Sequence, residues 1–313
     1  MKTFHPSESE PTRLDVVLVS FLGISRAQVQ KRIIAGDITV NGEVPSSAHI
    51  LVSSKDLLGV SDATPQAINV NPPAPLTILF EDADVIVVEK ASGTLVHPTG
   101  VQNPHESTLM DAVLAHFPPM AGVGGDPLRS GVVHRLDREA SGVLIFAKHE
   151  KAHAWLKHQF KTRKTEKYYD VLVLGYVKDE SGTITFPIAR SANGGRMAAR
   201  PLSQEGKDAI THYKVVSRYS SSTLLRVQIE TGRTHQIRAH FFALGHPVAG
   251  DTLYTQKNLK QSSTPRLFLH AAELRITLPT GELSPFTAAL PQELQTFLAT
   301  LKPFPITTTN VVV

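Results

Sequence analysis

The densest collection of groups able to do chemistry lies in His134-Arg135-Leu136-Asp137-Arg138-Glu139-Ala140-Ser141-Gly142, between two short apolar runs, Val132-Val133 and residues 143–147. That pattern predicts strand, exposed loop, strand. An aspartate in a polar loop is most often a turn or capping residue. Three features set Asp137 apart from that ordinary role. It follows an apolar run whose backbone would hold its carboxylate rigidly. Arg135 and Arg138 stand beside it, and nearby opposite charge favours an anion. Arg233 lies in a second polar loop, Thr231-Gly232-Arg233-Thr234, after another strand-like run, and is a cation able to pair with Asp137 across a cleft.

The chain has 14 His, and two pairs invite a metal. A zinc-binding helix wants histidines at i and i+4 with a glutamate between them, as in H-E-x-x-H. His149 and His153 have the spacing without the glutamate, and His235 and His240 are five apart, so no metal is expected. No phosphate-cradling G-x-x-x-x-G-K-[ST], no dinucleotide G-x-G-x-x-G after a strand and no G-x-S-x-G elbow occurs. Nucleotide hydrolysis, hydride transfer and serine-esterase chemistry lose ground, and no cofactor is expected.

Elements that must position these residues can be read from hydrophobic period. Residues 76–80 and 85–89 are short β-branched-rich runs separated by Glu81-Asp82-Ala83-Asp84, a strand, turn, strand signature. A short helix is expected over 108–117. Ala152, Trp155, Leu156, Gln159 and Phe160 form a helical stripe, followed by the basic run 161–167. Tyr169, Val171 and Val173 alternate as in a strand ending at Gly175. Further strands are expected over 183–188, 211–218 and 224–230, a helix over 236–244 with Ile237, Phe241 and Leu244 inward and Gly245 closing it, a late hairpin over 270–278 about Gly281, and a last helix over 291–301. Strands spaced as a meander predict an α+β protein with a mixed, mostly antiparallel central sheet and flanking helices.

Ahead of this region, Leu14, Val17, Leu18, Phe21 and Leu22 recur with the period of an amphipathic helix that Gly23 ends. Ser25 then caps a second helix with Val29 and Ile33 inward and Arg26, Lys31 and Arg32 outward, closed by Gly36. Asp37-Ile38-Thr39-Val40 enters an Asn41-Gly42 turn, a strong hairpin signal. On composition alone the basic residues are a solvated helix face. The organisation predicted is a loose tail (1–10), a small α/β module (11–68), a stiff proline-rich linker (69–75, with Pro72, Pro73 and Pro75), a catalytic domain (76–303) and a second tail (304–313).

Composition bounds the rest. A chain of 313 residues, 41% hydrophobic and 19% charged, can bury a sizeable core. Lys+Arg 32 against Asp+Glu 28 and a sequence pI near 9.2 tilt the surface towards polyanions such as nucleic acid. With Cys 0, disulfides, thiolate zinc sites and a cysteine nucleophile are excluded. No apolar run of about 18 residues and no signal-peptide core is present, so the expectation is a cytoplasmic protein without a membrane partner. A monomer is expected.

With these residues in view, the chain resembles the pseudouridine synthases of the RluA/RluD (large-subunit ribosomal RNA) family. His134-Arg135-Leu136-Asp137 with Ser141-Gly142 is similar to that family's H-R-L-D-x-x-T-S-G signature, with Ala140 in place of the usual Thr. Residues 232–238, Gly245-His246-Pro247 with Gly250-Asp251, and Leu269-His270-Ala271-Ala272 resemble further family blocks, and residues 78–82 with Lys90, Gly93 and His97-Pro98 resemble its opening strands. Arg13-Leu14-Asp15, residues 25–28 and residues 36–42 resemble the small RNA-binding domain of the S4 type.

The resemblance implies a pseudouridine synthase fold preceded by an S4-type RNA-binding domain, and a cofactor-free isomerisation in which uracil leaves ribose through N1 and rejoins it through C5. It implies Asp137 as catalytic carboxylate, acting on the sugar or on the ring. Arg233 would orient it by a bidentate pair, and Tyr169, chosen over Tyr168 by counting back from Gly175, would stack on uracil. The base would be flipped out of structured RNA, with Arg135 filling the vacated space, and His134 would bind RNA beside it. Lys161, Arg163, Lys164 and the Arg26, Lys31 and Arg32 helix would meet phosphates. Ribosomal RNA is the expected partner and transfer RNA the alternative. A non-catalytic RNA-binding protein with a synthase-like domain is the rival class, and it predicts loss of the acid or its arginine; both are present.

Overall fold

The computed structural model of the chain describes residues 2–7, 10–24, 29, 32–33, 36–45, 47–61, 75–98, 107–191, 195–256 and 263–305. The chain divides into two compact units. One is built mainly from residues 1–72, the other from 73–97, 107–125 and 129–313.

In the amino-terminal unit, helix α1 (Leu14–Leu22) buries Leu14, Val17 and Leu18 against Val29, Ile33, Ile38, Val52, Leu58 and Val60. It stops at Gly23, whose φ of 66° is left-handed backbone that glycine adopts without a Cβ penalty. A three-stranded antiparallel sheet runs β1 (Lys2–Phe4), β5 (Leu58–Val60), β3 (Ile38–Val40), and β2 (Thr12–Arg13) pairs with β4 (Leu51–Val52). The loose tail expected over 1–10 is corrected here. Lys2, Thr3 and Phe4 pair with Val60, Gly59 and Leu58, and the Phe4 ring stacks on Phe21 at 3.5 Å. A free sheet edge and an aromatic partner hold three residues that composition alone leaves loose. Asn41-Gly42 does make a tight turn, with φ of 54° and 88°, yet β3 finds its strand partner in β5 and makes only a single bridge, Val40 to Glu43, across the turn. Of the expected basic helix, Arg26 and Lys31 lie outside the described residues, as does the linker over 69–74.

The second unit is organised on a sheet of nine described strands: β6 (Thr77–Glu81), β7 (Val85–Lys90), β8 (Ser141–Ala147), β9 (Glu166–Leu174), β10 (Ser181–Ile184), β13 (Thr211–Arg218), β14 (Ser222–Ile229), β15 (Leu269–Thr277) and β16 (Leu283–Thr287). Their order is β10-β13-β14-β9-β15-β8-β7-β6, with β16 beside β15. Among these pairs only β8 and β15 run parallel. Strands β11 (Ile188–Arg190) and β12 (Met197–Ala199) form a separate ribbon.

Strand alternation sorts side chains onto two faces. Ile86, Val88, Leu144, Phe146, Tyr169, Val171 and Val227 enter one core, together with Leu109, Met110 and Val113 of helix α2 (Leu109–His116) and Ile237 and Phe241 of helix α4 (Gln236–Ala243). Val85, Val87, Val143 and Ile145 enter the other, covered by Ala152 and Leu156 of helix α3 (Glu150–Lys161). Helix α5 (Gln292–Ala299) packs through Leu294 on Leu172 and Phe268.

Two expected strands differ. Val132-Val133 makes only one bridge among the described residues, Val132 to Phe146, and the Ile145 amide next to it is taken by the His134 side chain instead of a backbone carbonyl. The run 183–188 breaks into β10 and β11, and Pro187 between them has no amide hydrogen to continue a ladder.

Candidate active site

The loop carrying Asp137 leaves no strand before it, so its rigidity comes from elsewhere. Lys90 ends β7 fully buried, and its Nζ donates to the carbonyls of Ala91 (2.8 Å), Thr94 (2.8 Å) and Arg138 (2.9 Å). The Gly93 amide also donates to Arg138 O at 2.8 Å, Arg138 Nε returns a bond to Gly93 O at 3.2 Å, and Ser92 Oγ donates to Glu139 O at 2.6 Å. A turn after β7 thus clamps the Asp137 loop through backbone carbonyls. Burial lowers the Lys90 ammonium to about 7, against the pull of Asp137 and Glu139.

The far end of the loop is fixed by Ser141-Gly142, the start of β8. These residues pair in parallel with His270 and Ala271 of β15. Gly142 has φ of 118°, and a Cβ there would collide with the Ala271 backbone. Ser141 Oγ lies 2.9 Å from His270 Nδ1 and accepts from Arg266 Nη2 at 2.9 Å. His270 Nε2 faces the Ala288 carbonyl at 3.1 Å, so its hydrogen sits on Nε2 and Nδ1 accepts the serine hydroxyl. Ala140 is buried in the core, where its methyl packs without needing a hydrogen-bond partner.

The cation on Asp137 is Arg238, not Arg233. Arg238 Nη1 lies 3.2 Å from Asp137 Oδ2 and 3.7 Å from Glu139 Oε2. The same guanidinium grips Asp251 with two bonds, Nε to Oδ2 at 2.7 Å and Nη2 to Oδ1 at 2.9 Å. Asp251 Oδ1 also accepts the amides of Leu253 and Tyr254, which fixes the loop that carries it. Burial alone would lower the Arg238 pKa, but the hydrogen bonds and charge of Asp251 and Asp137 push it above its ordinary value. Arg233 Nε instead donates to Asp208 O at 2.9 Å. Arg238 was hidden in sequence because it sits next to Ile237 on the buried side of α4, and Asp251 was quoted only as part of a glycine block. The available signal was a charge within an apolar stripe, which a fold tolerates only when paired.

Asp137, Tyr169, Arg233 and Arg238 all line one cavity of about 570 Å³. Tyr169 is buried on the cavity face of β9, and burial, then the charge of Asp137, raise its phenol well above the usual value. Tyr168 points to the opposite face, where its hydroxyl donates to Glu166 at 2.9 Å and Arg226 and Arg275 lie over its ring. Arg135, exposed, sits at the mouth, and Lys161 and Arg163 line the rim, whereas Lys164 does not.

His134 also lines the cavity, but not as a phosphate-binding cation. Its ring stacks on Phe160 at 4.6 Å and its Nε2 accepts the Ile145 amide at 3.1 Å. Burial, helped by the charge of Lys167, pushes its pKa down to about 3, so it is a neutral acceptor tying the loop to β8. In the amino-terminal unit, Arg32 donates to Ser61 O at 2.6 Å and lies 3.8 Å from Asp37. Three of the four histidines of the metal question are held by protein groups: His149 by Asp84 at 2.8 Å, His235 by Tyr254, and His240 between Thr211 and the Phe186 carbonyl. Among the described residues no three metal-ligating side chains converge, and no helix is long and apolar enough to cross a membrane.

An anchored carboxylate beside a buried tyrosine, in a cavity rimmed by cations, suits acid/base or nucleophilic work on an anionic polymer. Comparison with known proteins agrees. Residues 84–243 match the RNA pseudouridylate synthase family and residues 12–58 the S4 domain. The chain is 42% identical to an uncharacterized RNA pseudouridine synthase of Aquifex aeolicus over 84% of this chain and 82% of that protein. It is 33% identical to ribosomal large subunit pseudouridine synthase D of Pseudomonas aeruginosa over 95% and 94%. Among solved structures it is similar to human RNA pseudouridylate synthase domain containing 1, with 26% identity, a TM-score of 0.61, and coverage of 76% of this chain and 93% of that one. The chain therefore belongs to the RNA pseudouridylate synthase family, carries an S4 domain ahead of its catalytic region, and is an isomerase that acts on RNA.

Proposed function

We propose that the enzyme converts uridines of large-subunit ribosomal RNA to pseudouridine, with Asp137 as the catalytic carboxylate and the target nucleotide flipped into the Asp137 cavity. The observation that carries this reading is the Asp137 carboxylate itself: Oδ2 is held by Arg238, while Oδ1 has no hydrogen-bond partner among the described residues and is left to the substrate.

Isomerisation breaks the bond from C1′ to N1, turns the base and joins C1′ to C5, and the proton on C5 is transferred to solvent or to N1. Arg238, anchored by Asp251, fixes the carboxylate before substrate arrives, so little reorganisation is needed at the reacting carbon. Asp137 then acts at the sugar, as nucleophile at C1′ or as base at C2′. Tyr169 offers a ring face on which the base stacks as it turns. Its raised pKa keeps the phenol protonated, which suits it to stacking and donation more than to removing a proton. Access to a paired uridine requires flipping, and Arg135, exposed and lining the cavity, would occupy the gap.

The ribosomal target is supported by the relatives of Pseudomonas aeruginosa, Nitrosomonas europaea and Haemophilus influenzae, each named ribosomal large subunit pseudouridine synthase D. The S4 module adds phosphate affinity of its own, and the cytoplasm is the compartment where such RNA is met. Incubating the protein with unmodified large-subunit ribosomal RNA and with transfer RNA, and mapping pseudouridine in each, tests the reading. Modification confined to discrete ribosomal sites is expected; modification of transfer RNA alone would replace the substrate.

A further inference from the structure

We propose that Lys167 binds a phosphate directly flanking the target uridine and is a positioning residue of the reaction, an inference that rests on reading the Asp137 cavity as the uridine site. Lys167 precedes Tyr169 by two positions on β9, so the strand's two-residue period turns both side chains towards the cavity they line. Their Cα atoms stand about 7 Å apart on such a strand, so the two side chains can embrace a single nucleotide.

The hydrogen bonding of Lys167 is incomplete. The residue is buried, 8% exposed, yet the only bond its Nζ makes among the described residues is to Glu230 O at 3.4 Å. An ammonium has three donors. Lys90, also buried, places its Nζ on three carbonyls at 2.8 to 2.9 Å. The contrast separates a lysine finished by the protein from one left open to the cavity. No carboxylate completes it: that of Glu230 lies 2.8 Å from His212 Nε2 and 4.0 Å from Arg163 Nη1. The Phe160 ring, 6.0 Å from Nζ, supplies only a weak cation contact.

A buried cation with free donors calls for an anion. RNA brings one charge per nucleotide on its phosphates, whereas the uracil oxygens are neutral. Lys157, Lys161 and Arg163 line the cavity with Lys167 and add positive charge for an RNA backbone entering it. Burial, with the nearby charge of Arg163, lowers the ammonium to about 8, and a phosphate at Nζ would raise it back towards its ordinary value.

The test uses a short RNA containing a uridine the enzyme modifies, with a neutral methylphosphonate replacing one flanking phosphate at a time. Wild type is expected to lose affinity about 10- to 100-fold at one position, the scale of a charge-assisted hydrogen bond. Lys167→Met should lose a similar factor in KM and Kd on the natural RNA, with kcat within about threefold, show little further loss at that same position, and reduce the slope of log K against log salt by about 0.7. Lys167→Arg should recover most of the affinity. A wild-type scan in which neither flanking methylphosphonate weakens binding overturns the proposal without any variant. So does a Lys167→Met protein that loses kcat at unchanged KM and salt slope, which would put Lys167 on the chemistry. Absence of pseudouridine from every RNA with wild type would instead refute the site reading beneath it.

Discussion

Arg238 stands between Asp251 and Asp137, holding the first with two bonds at 2.7 and 2.9 Å and reaching the second with its remaining nitrogen at 3.2 Å. The shorter, bidentate contacts are to the residue farther from the cavity, so the guanidinium is oriented by Asp251 and presents a fixed Nη1 to Asp137. The Tyr254 ring, 5.2 Å from the guanidinium carbon, adds a cation-π surface. The Asp137 carboxylate is therefore positioned through α4 and the loop carrying Asp251.

Because Arg238 serves both carboxylates, its substitutions should separate stability from catalysis. Arg238→Met leaves Asp251 buried without its counter-ion and is expected to cost about 3 to 5 kcal/mol of folding free energy in urea titrations. Arg238→Lys keeps the charge but not the fork, and single-turnover isomerisation should slow by about 100-fold. Arg233→Gln, which gives up only a bond to Asp208 O, should keep kcat within about threefold. A larger loss of kcat for Arg233→Gln than for Arg238→Lys would return the orienting role to Arg233.

Asp137→Asn retains size and removes the charge and basicity that every version of the chemistry requires. Isomerisation should fall by at least about 1000-fold. Arg238 still has Asp251, so folding and RNA affinity should stay near the parent values, within about threefold in Kd. Measured turnover near the parent rate would remove Asp137 from the reaction.

The parts of the fold legible in sequence are those where burial writes a period into the chain. Ile86 and Val88 against Val85 and Val87, or Ala152 and Leu156 on α3, could be placed on their faces from spacing alone. Val132-Val133 was read as a strand because an apolar pair carries no record of whether a sheet edge is free to receive it. Lys2 to Phe4 failed in the opposite sense, since three ordinary residues become a strand only when an edge is waiting. Residue types in the site were visible for the same local reasons, as with the charge-dense loop around Asp137. Pairing was not. Arg233 was favoured because an arginine in a polar loop looks available, while Arg238 lies beside Ile237 on an apolar face and makes sense only once the chain brings Asp251 back against it. His134 was read as an RNA-binding residue because sequence does not reveal that Phe160 and the Ile145 amide enclose it.

Gly142 links the Asp137 loop to the sheet, and its replacement tests how closely β8 and β15 approach. Alanine there meets both a backbone at φ 118° and the Ala271 main chain, neither of which can yield without parting the parallel pair. Gly142→Ala should lower stability by about 3 kcal/mol or more. The neighbouring Ser141→Ala, which removes the hydroxyl shared by His270 and Arg266, should cost about 1 to 3 kcal/mol. Thermal unfolding that ranks the two in the reverse order would mean the strands separate more readily than their contact implies.

His134 should make the fold acid-sensitive. Its folded pKa lies near 3 against an ordinary 6.5, so between those values the unfolded chain takes up a proton that the native state refuses. The stability that His134 contributes is complete above pH 6.5 and is lost as pH falls towards 3. At pH 5 the deficit reaches about 2 kcal/mol from this residue, as an upper figure for a ring that is not wholly shielded from water. Glutamine can offer its Oε1 to the Ile145 amide near the place of Nε2 and does not titrate. Urea midpoints followed from pH 7 to pH 5 should therefore fall less steeply for His134→Gln than for the parent, even if the variant is less stable at pH 7 through the lost stacking on Phe160. Parallel declines in the two proteins would mean that the imidazole takes up its proton in the folded state at its ordinary pKa, and that Nε2 is free to carry charge into the cavity.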